Sequence, residues 1–348
     1  MVFDNPEFDG HERVAFATDA KFGLQAIHAT HRKRHGVGAG GIRMRSYPTA
    51  KDALTDALRL SRAMTYKFVL ADLPAGGAKT VVIGDPATDK TRDLLKALGR
   101  YIEDLHGAYL GGPDVGTNGD DMAVIGEETS YVAGRSNEPG STAVPIALGV
   151  VNGMRAVANF AFGGDDPNGV SVAVQGSGGV GSRVCGLLAD AGAHVVVADV
   201  NADAAASIAE KTGTKVVDAQ EILFVDADIL SPCALGAILN EQNIPRLKAR
   251  AICGAANNQL ATKADGERLK ERGISFVPDY VVSSGGAIGG FHELGYIDAA
   301  QRDQKLAQIY DTTLRTLELA RRDSVSTEVA AQNLAVAILE TSSNGASE

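Results

Sequence analysis

Tryptophan is absent from the 348-residue chain, and cysteine occurs only at Cys185, Cys233 and Cys253. An odd cysteine count with no C-x-x-C gives neither a disulfide framework nor a zinc site, so no metal is expected and a reducing cytoplasm fits. Positive charge is scarce as well. Thirty-three Lys and Arg against 43 Asp and Glu leave −10, which excludes the basic footprint of a nucleic-acid binder. The one local exception, "HATHRKRHG" (28–36), reads as a solvated hairpin face or a subunit contact. No apolar run approaches membrane-spanning length, and the polar opening "MVFDNPEFDGHERV" is no secretory leader, so no membrane partner is expected. Internal repeats and low-complexity linkers are also missing.

Glycine, by contrast, is abundant: forty residues against a usual share of about 7%, gathered in short loops, a pattern that points to backbone passing close to ligands more than to general flexibility. The length suits two domains. In the first, "ERVAFATDA" and "LQAIHATHR" flank "KFG" as a hairpin. "TAKDALTDALRLSRAMTYKFVLA" has helical spacing with Thr49 or the preceding turn as its cap, "KTVVIGD" is a buried strand, and "TRDLLKALGRYIEDLHG" is an amphipathic helix. After residue 140 the pattern changes to a long apolar helix, with Pro145 near its start, followed by alternating strands and helices. "ADILSP", "ARAICGAAN" and "ISFVPDYVVSSGG" are further strand candidates, and the last helices run from about residue 299 to 340. This alternation predicts an α/β protein whose second domain is a doubly wound parallel sheet.

The most specific local motif is Gly176-Ser177-Gly178-Gly179-Val180-Gly181, a G-x-G-x-x-G between the strand "VSVAVQ" and a helix. A second strand ends at Asp199, 23 residues after Gly176. The glycines make a turn, admit a pyrophosphate and let helix and strand pack, while the acid accepts from an adenosine ribose. Asp199 repels a 2′-phosphate and "VNADAA" offers no Lys or Arg to bind one, so NAD is the expected dinucleotide.

"LPAGGAKTVVIGDP" (73–86) resembles a phosphate loop at first sight. Ala78 separates Gly77 from Lys79, however, and the strand follows the loop instead of preceding it, so the Walker pattern is not met. Lys67, Lys79 and Asp114 fall at strand and helix ends, a set suited to an anionic substrate. One ammonium grips a carboxylate; the other, crowded and partly desolvated, exchanges protons with the aspartate.

The ordered stretches "AGGIRM" (39–44), "MTYK" (64–67), "LPAGGAKTVVIGDP", "GPDVGTNGDDM" (112–122), "GVVNGMRA" (149–156), "VQGSGGVG" (174–181), "SPCA" (231–234), "GAANNQL" (254–260) and "PDYVVSSGG" (278–286) span nearly the full chain. In these the chain resembles the glutamate/leucine/phenylalanine/valine dehydrogenase family. The resemblance implies NAD-dependent, reversible oxidative deamination of an L-amino acid to its 2-oxo acid and ammonia. It implies a substrate domain over 1–140, completed by a C-terminal helix at about 326–348. A Rossmann domain follows over 141–325, with a catalytic cleft between the two. Lys79 matches the catalytic lysine that acts through a water, and Asp114 the acid/base. Lys67 matches the α-carboxylate ligand, helped by Gly40, Gly41 and Met64, while Asn257 and Asn258 match positions at the nicotinamide and the substrate amine. Val200, Cys233, Ala234, Ala255 and Asn257 join the glycine loop and Asp199 as expected cofactor contacts. The resemblance also implies a homo-oligomer.

Glutamate is disfavoured as substrate, because the positions around "GAGGIRM" and "MTYKFVL" carry no second cation apart from Arg43. The side-chain pocket maps to Ala39, Ala287 and Gly290, smaller than the leucine and valines of leucine-type members. A bulky or aromatic substrate is therefore expected, unless His292 or Phe291 refills the space, with branched-chain and unusual amino acids as alternatives. The chain departs from the family pattern at Ala78, which removes a loop glycine, at Pro145-Ile146, where Ser141 or Thr142 would have to substitute, and at Ser283-Ser284. Two other classes compete: a hydroxy-acid dehydrogenase, which wants a histidine base that no loop here supplies, and a non-catalytic NAD or amino acid sensor.

Overall fold

Strand alternation in the first third of the chain builds a five-stranded sheet, seen in a computed structural model that describes residues 2–135 and 142–344. Contacts divide the chain into two compact units, Met1–Ser141 with Gly289–Ala299, and Thr142–Ile288 with Ala300–Glu348. The expected boundary at 140/141 lies outside the described residues. The helix expected to complete the first domain belongs to the second unit, and the segment that joins the first is Gly289–Ala299.

In the first unit, β1 (Arg13–Asp19) and β2 (Leu24–Thr30) form the hairpin, followed by β3 (Gly38–Arg45), α1 (Ala50–Leu70), β4 (Gly76–Ile83), α2 (Arg92–Glu103), β5 (Tyr109–Pro113) and α3 (Gly119–Ile125). The sheet order is β1-β2-β4-β3-β5, with β3 parallel to β4 and β5 and the hairpin antiparallel. Thr49 caps α1 by accepting from the Asp52 amide at 3.2 Å. Period-two alternation sorts the strands between two apolar layers. Ile27, Ala29 and Val81 pack with Ala53, Ala57 and Leu58 of α1, while Ile42, Met44, Ala78 and Val82 pack with Leu94, Leu98, Ile102, Met122 and Ile125 of α2 and α3.

The "GGAK" segment is not a loop. It lies within β4, so Lys79 sits in a strand interior and Lys67 within the last turn of α1. The glycines let α1 approach the strand. A Cβ on Gly77 would strike the Thr65 amide, and one on Gly76 the Arg32 carbonyl. Ala78 is fully buried in the same strand and removes no flexible turn.

The basic stretch also differs from expectation. Arg32, Lys33 and His35 are exposed, but His28 and His31 are buried. His28 bonds Thr80 and Thr30 through its two ring nitrogens at 3.0 Å each, and stacks edge-on to Tyr109 with centroids 4.7 Å apart. Hydroxyl partners let the ring stay neutral inside.

The second unit carries α4 (Ala143–Phe162), β6 (Ser171–Gln175), α5 (Gly181–Asp190), β7 (His194–Ala198), α6 (Ala202–Thr212), β8 (Lys215–Val216), β9 (Ile229–Pro232), β10 (Ala251–Ile252), α7 (Lys263–Glu271), β11 (Ser275–Phe276) and α8 (Asp279–Val282). Helix α9 (Gly285–Glu293) starts in this unit, with its residues from Gly289 on belonging to the first, and α10 (Ala299–Asp323) and α11 (Thr327–Asn344) follow. All six strands are parallel in the order β11-β10-β9-β6-β7-β8, the doubly wound arrangement with its switch point between β6 and β9. Only two residues of "ISFVPDYVVSSGG" are strand; Pro278 ends the pairing and stands at the start of α8. Helix α4 is long and apolar enough to span a membrane by length and composition alone, which the sequence reading did not register. In this unit it is a core helix: a Cβ on Gly149 would meet the Val282 carbonyl, and one on Gly153 the Val282 side chain and Cys253 Sγ.

Burial pushes His28 down to about 3, and burial with the neighbouring His11 pushes His31 to about 4. Both folded values lie below the ordinary histidine value, so protons bind the unfolded chain first. Stability present above about pH 6.5 is lost as pH falls toward 3, by about 1.4 kcal/mol per pH unit for each such proton. Urea midpoints measured from pH 7 to 4 are expected to fall less steeply for His28→Gln than for the natural chain.

Candidate active site

The turn after β5 fixes Asp114. Its amide donates to Thr117 Oγ1 at 2.9 Å, and that hydroxyl donates to the Ile42 carbonyl of β3 at 2.7 Å. Gly116 turns the chain at φ +81°, where a Cβ would also strike the Met44 carbonyl. A capping box between Asn118 and Asp121 then starts α3. The loop is thus tied to β3, and the Asp114 carboxylate is delivered to the face of the sheet that carries α1.

On that face Lys79 Nζ lies 2.7 Å from Asp114 Oδ2, and Arg43 Nε donates to the same oxygen at 2.8 Å. Lys79 is only 3% exposed. Burial pushes its ammonium below the usual lysine range, with Asp114 opposing and Arg43 assisting. Burial would raise the Asp114 carboxyl, but Lys79 and Arg43 more than offset it and hold it at about 2. An ammonium with a lowered pKa against an ionised carboxylate is a pair able to pass a proton between them and a third group.

Gly40 and Gly41 line this pair. A Cβ on Gly41 would stand 2.7 Å from Lys79 Nζ and 2.8 Å from Asp114 Cβ; one on Gly40 would strike the Ala78 carbonyl and come within 3.2 Å of Met64 Cγ. Tyr109, fully buried, donates to the Gly40 carbonyl at 2.9 Å and holds that backbone in place. Lys67 and Met64 are half-buried on the last turns of α1. Ala39 is buried in β3, and Gly290 faces Ala133, where a Cβ would approach to 3.4 Å. Phe291 does not stand free to refill a pocket: it is buried against Phe68 and Tyr296, with ring centroids 5.9 Å apart in each case. His292 Nδ1 is bonded to the Ile297 carbonyl at 3.1 Å.

Sequence reasoning noticed Arg43 only as a stray cation and missed its partners. Arg43 Nη1 reaches Asp56 at 3.0 Å, and Asp56 also accepts from Tyr47 at 2.7 Å and Arg59 at 2.7 Å. The available signal was spacing: Gly41 and Arg43 share one strand face, and Asp56 follows Asp52 by one helical turn near the start of α1.

In the second unit the loop after β6 has the shape a dinucleotide requires. Gly176 has φ +97°, and a Cβ there would meet Ala234; on Gly181 it would strike the Gly176 carbonyl and reach within 3.2 Å of Cys233 Cβ. A Cβ on Gly178 would meet nothing within 4 Å, and one on Gly179 only Ala143 at 3.8 Å, so the middle of the loop is open. Val180 leads directly into α5, so the loop ends at a helix N-terminus. At the end of β7, Asp199 accepts from the Ser177 amide at 2.6 Å and the Asn201 amide at 2.9 Å. Those bonds, the Asn201 amide first, keep the carboxyl below its usual range. Val200 is 94% exposed beside it. The 233–237 turn packs on the 254–259 segment, where Ala237 donates to the Asn258 carbonyl at 2.7 Å. Ala255 is half-buried there, and Asn257 and Asn258 are exposed, Asn258 in the left-handed region at φ +54°.

Ala287 is half-buried in α9. Two of the three departures come together here: Ser283 and Ser284 are buried, and a Cβ on the following Gly285 would strike the Pro145 carbonyl. Ser141 lies outside the described residues, and Thr142 makes no side-chain cap to α4. No group of three or more His, Cys, Asp or Glu side chains suited to a metal occurs among the described residues.

Residues 11–131 match the family profile described as Glu/Leu/Phe/Val dehydrogenase, dimerisation domain, and residues 197–339 that described as Glutamate/Leucine/Phenylalanine/Valine dehydrogenase. Leucine dehydrogenase of Bacillus cereus is 44% identical over 337 residues, covering 96% of this chain and 92% of its own. Phenylalanine dehydrogenase of Caldalkalibacillus thermarum is 41% identical over 339 residues, 95% of this chain and 91% of its own. The crystal structure of L-tryptophan dehydrogenase from Nostoc punctiforme matches with a TM-score of 0.87 at 38% identity, over 96% of this chain and 97% of that one.

The Gly41 contacts give a direct test. Gly41→Ala puts a methyl group between Lys79 and Asp114, and kcat/KM for amino acid oxidation is expected to fall by on the order of 10²-fold while circular dichroism stays native.

Proposed function

The chain belongs to the glutamate/leucine/phenylalanine/valine dehydrogenase family and is an amino acid dehydrogenase; within that activity, we propose that it deaminates a bulky hydrophobic L-amino acid with NAD. The observation that carries the reading is the buried Lys79–Asp114 pair against the Gly40-Gly41 backbone. Lys67 holds the substrate α-carboxylate, with Gly40, Gly41 and Met64 beside it. Lys79, with its pKa lowered, orients and deprotonates the water that attacks the imine carbon. Asp114 takes a proton from the substrate ammonium and returns one to the departing ammonia. Asn257 and Asn258 sit at the nicotinamide and the amine.

The glycine loop, Asp199, Val200, Cys233, Ala234 and Ala255 hold the dinucleotide; when bound, its nicotinamide supplies the hydride acceptor for the substrate Cα. The open middle of the loop supports that fit, and the Asp199 carboxylate with no Lys or Arg in residues 200–205 supports NAD over NADP. The commitment of Arg43 to Asp114 and Asp56 speaks against a second carboxylate on the substrate. The small residues Ala39, Ala287 and Gly290, and a phenylalanine dehydrogenase and an L-tryptophan dehydrogenase among the similar proteins, favour an aromatic side chain. The leucine dehydrogenase relatives make branched aliphatic substrates the competing outcome. The match to a dimerisation domain supports a homo-oligomer, and the three free cysteines support the cytoplasm.

A panel of 2-oxo acids with NADH and ammonia tests the reading spectrophotometrically. Aromatic 2-oxo acids are expected to give the highest kcat/KM, and Lys79→Ala to lower kcat by 10²-fold or more. Ammonia-independent reduction would point to a hydroxy-acid enzyme, and NADH binding without turnover to a sensor. Asp199→Ala is expected to weaken NADH binding, read by fluorescence titration, roughly ten- to hundredfold, the loss of a charge-assisted hydrogen bond.

A further inference from the structure

The ion cluster around Asp114 extends beyond the two residues that exchange protons. Arg43, on β3, spans two carboxylates: Nε meets Asp114 Oδ2 at 2.8 Å and Nη1 meets Asp56 Oδ2 at 3.0 Å. Asp56 is itself fixed, because the Tyr47 hydroxyl donates to Oδ2 and Arg59 to Oδ1, at 2.7 Å each. The side chains of Arg43 and Asp56 are only 11% and 12% exposed, so the guanidinium is clamped at both ends within the fold.

We propose that Arg43 is a positioning residue of the reaction: its guanidinium, anchored on Asp56, holds the Asp114 carboxylate against Lys79 with a charge that does not titrate. This rests on Asp114 and Lys79 being the proton-transfer pair. Arginine stays protonated in proteins and presents a rigid planar fork, whereas a buried lysine changes its charge readily. When Lys79 gives up its proton, Asp114 therefore keeps one cation on the same oxygen and stays both ionised and oriented. Arg43 also repels the Lys79 ammonium and favours its neutral form.

The charged and titratable groups facing the cluster come from four places: Lys79 on β4, Asp56 and Arg59 on α1, Tyr47 in the segment after β3, and Tyr109 on β5. Loss of Arg43 moves the two proton-transfer groups in the same direction, upward, since it removes a cation from beside an acid and from beside an ammonium. The acid limb of the kcat/KM profile then shifts to higher pH whichever of the two sets it.

The experiment measures kcat, KM and the pH dependence of kcat/KM for the natural enzyme, R43Q, R43K and D114N, with thermal unfolding as the control for folding. R43Q is expected to lower kcat on the order of 10²-fold with little change in KM, and to move the acid limb up by one pH unit or more. R43K keeps the charge but loses the fork, so the limb stays in place while kcat recovers only in part. A merely structural arginine would lower the unfolding temperature and leave the limb where it is; an unmoved limb in folded R43Q, with D114N inactive, overturns the proposal. Full activity in D114N would instead remove the proton-transfer reading on which it rests. If R43Q does not fold, R43K decides: an unmoved limb with kcat lowered several-fold supports the role, and an unchanged kcat overturns it.

Discussion

An ammonium buried inside a sheet cannot be left without a carboxylate, and the first unit is organised around that constraint. Removing a charge from water costs several kcal/mol after relaxation, and only close, well-directed partners offset it. Lys79 meets the requirement through Asp114, which comes from the turn after β5, and Asp114 through Lys79 and Arg43 together. Glycine makes the assembly possible. Side chains on Gly40 and Gly41 would occupy the space of the Ala78 carbonyl, the lysine and the aspartate, and one on Gly77 the space of α1. At Gly40 and Gly41 glycine thus reflects crowding around a charge.

The two units treat charge in opposite ways. In the first, the charges of Lys79, Asp114 and Arg43 are sealed in and set against one another, and the proton affinities of Lys79 and Asp114 are both lowered. In the second, the loop after β6 stays open at Gly178, between the N-terminus of α5 and one carboxylate at the end of β7. The sealed arrangement suits proton transfer, where a small change in surroundings alters which group holds the proton. The open one suits reversible binding of a large anion, with backbone donors that need no reorganisation.

Histidine shows how composition misleads when read without the third dimension. His28 and His31 lie among basic residues and look solvated, yet both are buried, because β2 is covered at every position from Ala26 to Thr30 and the hydroxyls of Thr30 and Thr80 beside His28, and of Thr65 beside His31, supply neutral partners. The "GGAK" segment misled in the other direction. Glycines beside a lysine suggest a loop, but a strand backbone accepts glycine wherever a helix must lie close against it. The same holds for α4: its apolar composition reads as a membrane span by length, and its glycines are where the second unit packs on it.

The α/β class, the hairpin, the capped α1 and the strand–glycine loop–helix that ends at Asp199 were legible from the sequence alone, because periodicity, capping and G-x-G-x-x-G act over short separations. The family was legible too, through ordered motifs along the chain. Lys79, Asp114, Gly40 and Gly41 could be named as a group, but not their geometry. The clamp of Arg43 between Asp56 and Asp114 was decided by tertiary structure, since it joins β3, α1 and the turn after β5 across separations of 13 and 71 residues. The placement of α11 with the second unit was decided in the same way. Local pattern fixes which face of a strand a side chain takes, and only packing fixes what stands opposite it.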